Sequence, residues 1–253
     1  MTELLSEQPR NPEILSEHPI IVVDIDGVLF DTPQQAVDRW NREHGTSYAV
    51  QDIFNEHAVH NKELFRRWHD GGIETDDTGR KYDDGFYSAQ KDVANYLLIP
   101  GAREVLARIK REYGTSIHAL TARKKSNLGD VTLTAVSKHF GVGDAEEHLI
   151  DELHFSGDPD HDDKVDEDGK KIDLTDKGTY LREKIGAHVM VEDSVKNAQS
   201  AKKAGIASFL LARTYNQNGN HDWSPEETAP DWDTLYSLIC KSLDQQGFRK
   251  ICE

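Results

Sequence analysis

The chain has 253 residues, and 30 lysines and arginines face 46 acidic residues, which gives a formal net charge of −16. This length predicts one large domain, or one core domain that carries a small insertion. A strongly acidic chain repels the phosphates of a nucleic acid polymer, and no apolar run approaches the roughly 20 residues that a membrane-spanning helix needs. The composition therefore favours a globular protein that binds neither nucleic acid nor membrane.

The acidity is concentrated in one segment. Residues 144–176 contain 14 acidic residues and only three lysines, and we interpret the part at 156–176 as a solvated acidic insertion. Residues 1–19 lack a cationic start followed by an apolar block, so we expect a leader that is neither a secretory signal nor a transit peptide. Cys240 and Cys252 form no disulfide framework, which predicts a reducing, cytoplasmic location.

Predicted strands and helices alternate along most of the chain. Strands are predicted at 20–23, 116–120, 152–156, 187–191 and 206–211, and helices at 32–45, 100–114, 128–140, 177–185 and 198–204. Thr32 is predicted to cap the first of these helices. Alternation of this kind predicts an α/β fold with a parallel sheet covered by helices on both faces.

Polar side chains follow three of the predicted strands. They are Asp24 with Asp26, Thr121 with Arg123, and Glu192 with Asp193. Ligands of parallel sheets bind where the strands end, and closely spaced carboxylates resist joint ionisation unless a cation lies between them. Mg²⁺ prefers such hard oxygen ligands and keeps a phosphate in its shell. In phosphoryl transfer, one aspartate of the first pair can act as nucleophile and the other as general acid and base.

Phosphoryl transfer also needs positive charge and hydrogen-bond donors around the phosphate oxygens. Thr121 offers a hydroxyl and a backbone N–H, and Lys177 offers a full charge at the start of a helix. We therefore predict that Thr121, Ala122, Arg123 and Lys177 bind the phosphate or the rest of the substrate.

Four segments resemble, in the same order along the chain, the four motifs of the haloacid dehalogenase (HAD) superfamily of phosphohydrolases. They are Val23-Asp24-Ile25-Asp26-Gly27-Val28-Leu29, Leu120-Thr121-Ala122-Arg123, Lys177-Gly178-Thr179-Tyr180-Leu181 and Val191-Glu192-Asp193-Ser194. The resemblance covers about residues 20–212. It implies a Rossmann-like core, Mg²⁺ as cofactor and a phosphate ester as substrate.

The resemblance also implies a role for each motif residue. Asp24 would be the nucleophile and Asp26 the general acid and base. Thr121 and Lys177 would bind the transferring phosphoryl group. Metal binding would fall to Asp24, Asp193 and Asp26, the last through its backbone carbonyl. Many relatives carry a second acid where this chain has Asn197, so Glu192 and Asn197 are predicted as secondary site residues.

Residues 31–98 look like the small α-helical cap that this superfamily inserts after the first strand. The core would then comprise 20–30 and 99–253. The segment from Phe86 through Ile99-Pro100-Gly101-Ala102 and the pair Asp231-Trp232 are similar to the 5′(3′)-deoxyribonucleotidase group and its bacterial relatives. That similarity implies a nucleoside monophosphate as substrate.

The sequence thus supports a leading hypothesis and two alternatives. The leading hypothesis is a Mg²⁺-dependent phosphomonoester hydrolase that forms an aspartyl-phosphate and acts on nucleoside 5′-monophosphates. The first alternative keeps the chemistry but gives the enzyme a sugar phosphate or another small metabolite. The second is a catalytically inactive protein that binds a basic partner through residues 144–176. The sequence does not determine the oligomeric state, and a homodimer is one of the alternatives.

Overall fold

The computed structural model describes residues 18–54, 96–123, 125–143, 148–157, 174, 176–217 and 223–251. The predictions for most of the leader, for the middle of the cap at 55–95 and for the acidic insertion at 158–173 lie outside these residues. Phe86 lies outside them as well.

Six parallel strands form one sheet in the order β3-β2-β1-β4-β5-β6. The strands are β1 (Ile20–Asp24), β2 (Ser116–Thr121), β3 (Glu152–Phe155), β4 (Val189–Glu192), β5 (Ala207–Leu211) and β6 (Thr228–Ala229). The predicted parallel α/β fold is confirmed. Since β1 lies between β2 and β4 at the centre of the sheet, the residues that follow these three strands are neighbours at one edge.

The α-helices of the described residues are α1 (Thr32–His44), α2 (Val50–Phe54), α3 (Ala102–Tyr113), α4 (Lys125–Phe140), α5 (Lys177–Tyr180), α6 (Val195–Lys203) and α7 (Trp232–Gln245). Two features differ from the sequence analysis. The single helix predicted at 177–185 is a short α-helix followed by a π-helical turn at Leu181–Ile185, and β6 and α7 were not predicted. Within the described segments, no helix combines the length and the apolarity needed to cross a bilayer.

The core lies on both faces of the sheet because successive strand residues point in opposite directions. Ile21 and Val23 of β1 pack with apolar residues of α3 and α7 on one face. Val22 packs on the other face with Leu181 and with Ala201 of α6. The three β1 residues are fully buried, so the strand that positions Asp24 has little freedom to move.

Asp151 links α3, β2 and the segment before β3, and its loss should be measurable. Its carboxylate accepts hydrogen bonds from Lys110 Nζ at 2.8 Å, from Ile117 N at 2.8 Å and from His148 Nε2 at 3.0 Å. Burial raises the pKa of Asp151, but the bonds from Lys110 and Ile117 outweigh it and lower the pKa below its ordinary value. We expect Asp151→Asn to lower the free energy of unfolding by about 1–3 kcal/mol at pH 7.

Because the pKa of Asp151 is lower in the folded chain than in the unfolded chain, its ionised carboxylate stabilises the fold at pH values above the unfolded-state pKa of about 4. This stabilisation is lost as the pH falls below that value and the carboxylate is protonated. Urea denaturation between pH 7 and pH 3 measures this effect. The difference in unfolding free energy between wild type and Asp151→Asn should become smaller as the pH is lowered. Asp130→Asn, which changes an exposed carboxylate of α4, is the control. A difference that stays constant with pH would contradict the assignment.

Candidate active site

Three residues from three elements meet at the ends of β1 and β4. Lys177, the first residue of α5, donates to Asp24 Oδ1 and to Glu192 Oε1, both at 2.5 Å. All three side chains are buried, and Glu192 is fully excluded from solvent. Lys177 therefore stands between two carboxylates as the cation of a buried charge cluster.

The second oxygen of Glu192 is also engaged. Glu192 Oε2 accepts from the backbone N–H groups of Asp193 and Ser194, each at 3.2 Å. Glu192 thus holds Lys177 with one oxygen and the turn after β4 with the other. This arrangement makes it a residue that positions both Lys177 and Asp193.

Asp193 is fixed by two residues that the sequence analysis did not single out. Tyr215 donates its hydroxyl to Asp193 Oδ2 at 2.5 Å, and Asn216 Nδ2 donates to the Asp193 carbonyl at 2.8 Å. Both follow β5, so the strand-end rule that identified the other candidates also applies to this pair. Asn216 Nδ2 additionally bonds the Leu211 carbonyl, which ties this turn to the end of its own strand.

The electrostatics of the cluster show an excess of negative charge. Burial and the neighbouring Glu192 raise the pKa of Asp24 well above its ordinary value, although Lys177 opposes the shift. Burial and Glu192 likewise raise the pKa of Asp193 to about 7. Burial alone disfavours the charge of Lys177, but Asp24 and Glu192 outweigh it and raise the pKa of Lys177.

These residues fit Mg²⁺. The carboxylates of Asp24, Glu192 and Asp193 place one oxygen each within 4.8 Å of one another. A single buried lysine neutralises one of three carboxylates, and the remaining negative charge matches a divalent cation that prefers hard oxygen ligands. Since both oxygens of Glu192 are occupied, Asp24 and Asp193 are the carboxylates suited to direct coordination.

Gly27 allows the Asp193 carboxylate to approach the turn after β1. Its φ of +78° lies in the left-handed region that favours glycine. A Cβ atom built on Gly27 would overlap Asp193 Oδ2 and would lie 2.5 Å from Tyr215 Oη. The glycine of the first motif thus brings the ends of β1, β4 and β5 together.

Asp26 faces a different set of partners. Arg123 donates Nε to Asp26 Oδ2 at 2.9 Å and Nη2 to Oδ1 at 2.5 Å, which is a bidentate ion pair. Arg123 is only 5% exposed and also donates to Tyr96 Oη and Thr132 Oγ1. The guanidinium that was predicted to contact the substrate is thus directed at Asp26 in this structure.

The prediction that Thr32 caps α1 is wrong. The N-cap residue is Asp31, and no side chain accepts a capping hydrogen bond there. Thr32 Oγ1 instead donates to Asp26 Oδ1 at 2.7 Å. The hydroxyl is satisfied by the carboxylate six residues earlier, which further fixes the orientation of Asp26.

Thr121 is the last residue of β2, and Ala122 begins the turn that follows. Thr121 is buried, and its Oγ1 accepts from Arg123 N at 3.2 Å. Its carbonyl accepts from Ser156 N at 2.9 Å. Gly157 packs so closely on this turn that a Cβ atom there would overlap the Ala122 carbonyl. Residues after β3 therefore hold the Thr121 turn in place.

Local sequence explains how Lys177 reaches the cluster. Asp176 caps α5 by accepting from Thr179 N at 2.9 Å, as expected for an N-cap aspartate. Gly178 donates its N–H to Ser200 Oγ at 3.0 Å, and a Cβ atom at this position would overlap the Ser200 backbone. The Lys-Gly pair thus lets the first turn of α5 lie against α6. Asn197 lies in the first turn of α6, where its N–H is 3.4 Å from Ser194 Oγ.

The strand order and the alternation of strands and helices in this chain are those of a known α/β fold. Solved structures of HAD hydrolases share it. A predicted phosphoglycolate phosphatase from Haemophilus somnus matches with a TM-score of 0.56 and 16% identity over 89% of this chain and 99% of its own.

A HAD-family hydrolase from Deinococcus radiodurans, solved with phosphate and sodium, gives a TM-score of 0.53 with 16% identity over 90% and 97% of the two chains. A protein from Thermotoga maritima assigned as a β-phosphoglucomutase gives 0.52 with 16% identity over 88% and 99%. The sequence matches no protein-family model and no curated protein. At these identities the likeness establishes the fold.

Proposed function

We propose that this chain is a phosphomonoester hydrolase that transfers the phosphoryl group of a small metabolite to Asp24 and then to water. The observation that carries the proposal is the buried contact of Lys177 with Asp24 and Glu192, beside the carboxylate of Asp193. A buried carboxylate that is held by a lysine and close to a metal-compatible cluster suits nucleophilic attack on phosphorus.

In the first step, a carboxylate oxygen of Asp24 attacks phosphorus, and the bond from phosphorus to the ester oxygen breaks. Asp26 donates a proton to the departing alkoxide. Lys177 and the donors of the Thr121 turn bind the phosphoryl oxygens. When bound to Asp24, Asp193 and the Asp26 carbonyl, Mg²⁺ supplies positive charge that stabilises the transferring group.

In the second step, water attacks the phosphorus of the aspartyl-phosphate while Asp26 takes the proton of the water. The bond from phosphorus to the Asp24 oxygen breaks, which releases inorganic phosphate and restores the carboxylate. Arg123 donates to both oxygens of Asp26, and this bidentate pair fixes the carboxylate in one orientation. Asp26 is thereby positioned for its proton transfers in both steps.

We propose that the substrate is a sugar phosphate or another small phosphorylated metabolite rather than a nucleoside monophosphate. Two neighbours whose names state a substrate, the phosphoglycolate phosphatase and the β-phosphoglucomutase, are named for small phosphorylated metabolites. One part of the resemblance to nucleotidases, the pair Asp231-Trp232, has a packing explanation. Trp232 is 1% exposed and donates Nε1 to the Val28 carbonyl, and Asp231 caps α7. These two residues stabilise the core, so their presence does not indicate that the chain binds a nucleobase.

The test is phosphate release, with Mg²⁺, from a panel of sugar phosphates, phosphorylated carboxylic acids, and deoxy- and ribonucleoside monophosphates. We expect turnover, with the highest kcat/KM among the first two groups. Preference for nucleoside monophosphates would retain the chemistry and reverse the substrate proposal. Absence of release from every ester would contradict the proposed hydrolase and favour the binding protein with the acidic segment.

Arg123 provides a prediction about the role of Asp26. Arg123→Lys keeps the charge but loses the bidentate geometry, and Arg123→Met loses both. We expect kcat to fall by at least about tenfold in Arg123→Met, with a smaller loss in Arg123→Lys. In Arg123→Met the carboxylate loses its cation, so the acidic limb of the pH–kcat profile should move to higher pH.

A purely structural role for Arg123 would leave that pH limb unchanged, even if the enzyme lost stability. If instead Arg123 contacts the substrate, KM should rise while the pH–kcat profile stays the same. Thr132→Val, which removes one of the other partners of Arg123, is the matched control. It should retain the wild-type pH limb.

A further inference from the structure

We propose that His118, Glu152 and His154 form a binding site for one transition-metal dication such as Zn²⁺. The site is distinct from the carboxylate cluster around Asp24. One ligand atom from each of the three residues lies within 4.8 Å of the other two. The proposal does not depend on the proposed phosphatase activity.

The sheet register brings these residues together. His118 of β2 pairs with Glu152 of β3, and Leu120 pairs with His154. Residues two apart on a strand share a face, so both histidines and the glutamate project from the same side of the sheet. Among the described strands, β3 lies at the edge of the sheet, and the Glu152 side chain on it is mostly exposed.

The interatomic distances suit a small cation after a minor adjustment. His118 Nδ1 lies 2.9 Å from His154 Nε2, which in turn lies 3.3 Å from Glu152 Oε2. Zinc bonds of about 2.0–2.1 Å in tetrahedral geometry place ligand atoms about 3.3 Å apart. Metal binding would replace the hydrogen that the two ring nitrogens now share and would separate these nitrogens by a few tenths of an ångström.

The surroundings orient the two rings. Ser116 Oγ lies 2.9 Å from His118 Nε2, a contact that directs the other nitrogen, Nδ1, toward His154 and resembles the outer-shell hydrogen bonds of metal-bound histidines. The ring of Tyr180 packs edge-on against His154 with centroids 6.1 Å apart. Glu152 has a side chain that is 63% exposed, so it can reorient toward an ion without disturbing the core.

The chemistry of the donors separates this site from the magnesium site. Imidazole nitrogens suit zinc, copper and nickel, whereas Mg²⁺ takes oxygen ligands. Burial lowers the pKa of His118, and burial together with His118 lowers the pKa of His154 to about 4. Metals bind the neutral form of imidazole, and burial favours that form in both rings.

The experiment is titration of the metal-free full-length chain with Co²⁺ and with Zn²⁺ in the presence of millimolar Mg²⁺, which competes for the oxygen-rich cluster. We expect one equivalent of Co²⁺ to produce visible absorption of low-coordinate cobalt, and Zn²⁺ to displace it. His118→Gln and His154→Gln should each weaken Zn²⁺ binding by at least about tenfold. Glu152→Gln, at an exposed position, should weaken it without affecting folding.

His148→Gln is the matched control, because His148 is a partly exposed histidine that contacts Asp151 outside the cluster. It should bind Zn²⁺ as wild type does. Equal Zn²⁺ affinity in wild type, His154→Gln and Glu152→Gln would overturn the proposal, as would absence of binding by wild type. Phosphate release by the same samples tests the proposed function separately, so failure of either idea is recognised independently.

Discussion

Asp24→Asn abolishes phosphate release while the chain stays folded, if Asp24 is the nucleophile. The amide keeps nearly the same shape and can still accept the hydrogen bond from Lys177, but it cannot form the acyl phosphate. We expect kcat to fall by at least about 10⁴-fold, as is typical when a covalent nucleophile is lost. Single-turnover assays and acid-trapped phosphoenzyme would measure the loss directly.

The matched control is Asp38→Asn, which makes the same chemical change on an exposed residue of α1. It should retain wild-type kinetics. The far-ultraviolet circular dichroism of Asp24→Asn should match wild type, because β1 is anchored by buried residues on both of its faces. Wild-type rates in Asp24→Asn would contradict the assignment of the nucleophile.

Sequence patterns predicted the part of the site that depends on strand ends. The apolar run before Asp24 and the one before Glu192 predict buried parallel strands, and such strands bring the residues that follow them to one edge. This is sufficient to predict that Asp24 and Asp193 lie close together. It needs no knowledge of the side-chain contacts, because the backbone topology fixes the distance.

Patterns of this kind do not predict the partners that individual side chains choose. Arg123 lies just beyond Thr121, the last residue of β2, yet its long side chain reaches Asp26 and Tyr96. These partners are far away in sequence, so the local pattern does not predict them. Tyr215 follows a strand as well, but its partner cannot be predicted from that position, since its bond to Asp193 exists only once β4 and β5 are paired.

The fold departs from the sequence analysis for similar reasons. A π-helical turn interrupts the helix after Tyr180. Gly186 N donates to the carbonyl of Leu181, which lies five residues earlier. No residue type in that segment demands it. The apolar residues of α7, such as Leu235 and Ile239, are buried in the core with residues of the sheet. This packing between distant parts of the chain stabilises the helix.

Lys177→Met should produce the second large effect, on both activity and stability. The Lys177 side chain is 4% exposed and is the cation shared by Asp24 and Glu192. Its loss leaves buried carboxylates without compensation, which typically costs about 3–5 kcal/mol of unfolding free energy. The phosphoryl group also loses a positive charge, so we expect kcat/KM to fall by at least about 10³-fold.

The pH dependence of this loss has a definite sign. The pKa of Asp24 is already raised, with Lys177 as the group that opposes the shift. Without the lysine, the pKa of Asp24 in the folded chain rises further above its unfolded-state value. The variant should therefore lose stability as the pH rises, so the gap to wild type is smaller at pH 5.5 than at pH 8. Urea denaturation at these two pH values measures it.

Mg²⁺ should reduce the difference in unfolding free energy between Lys177→Met and wild type at pH 8. A bound dication supplies part of the missing positive charge and stabilises the folded state by mass action. Lys196→Met, at an exposed position on α6, is the matched control and should change neither stability nor kcat/KM. Equal unfolding free energies of Lys177→Met and wild type at pH 8 would mean that the buried carboxylates do not depend on Lys177 for their charge balance. In that case the lysine would not be the group that holds Asp24 ionised for attack.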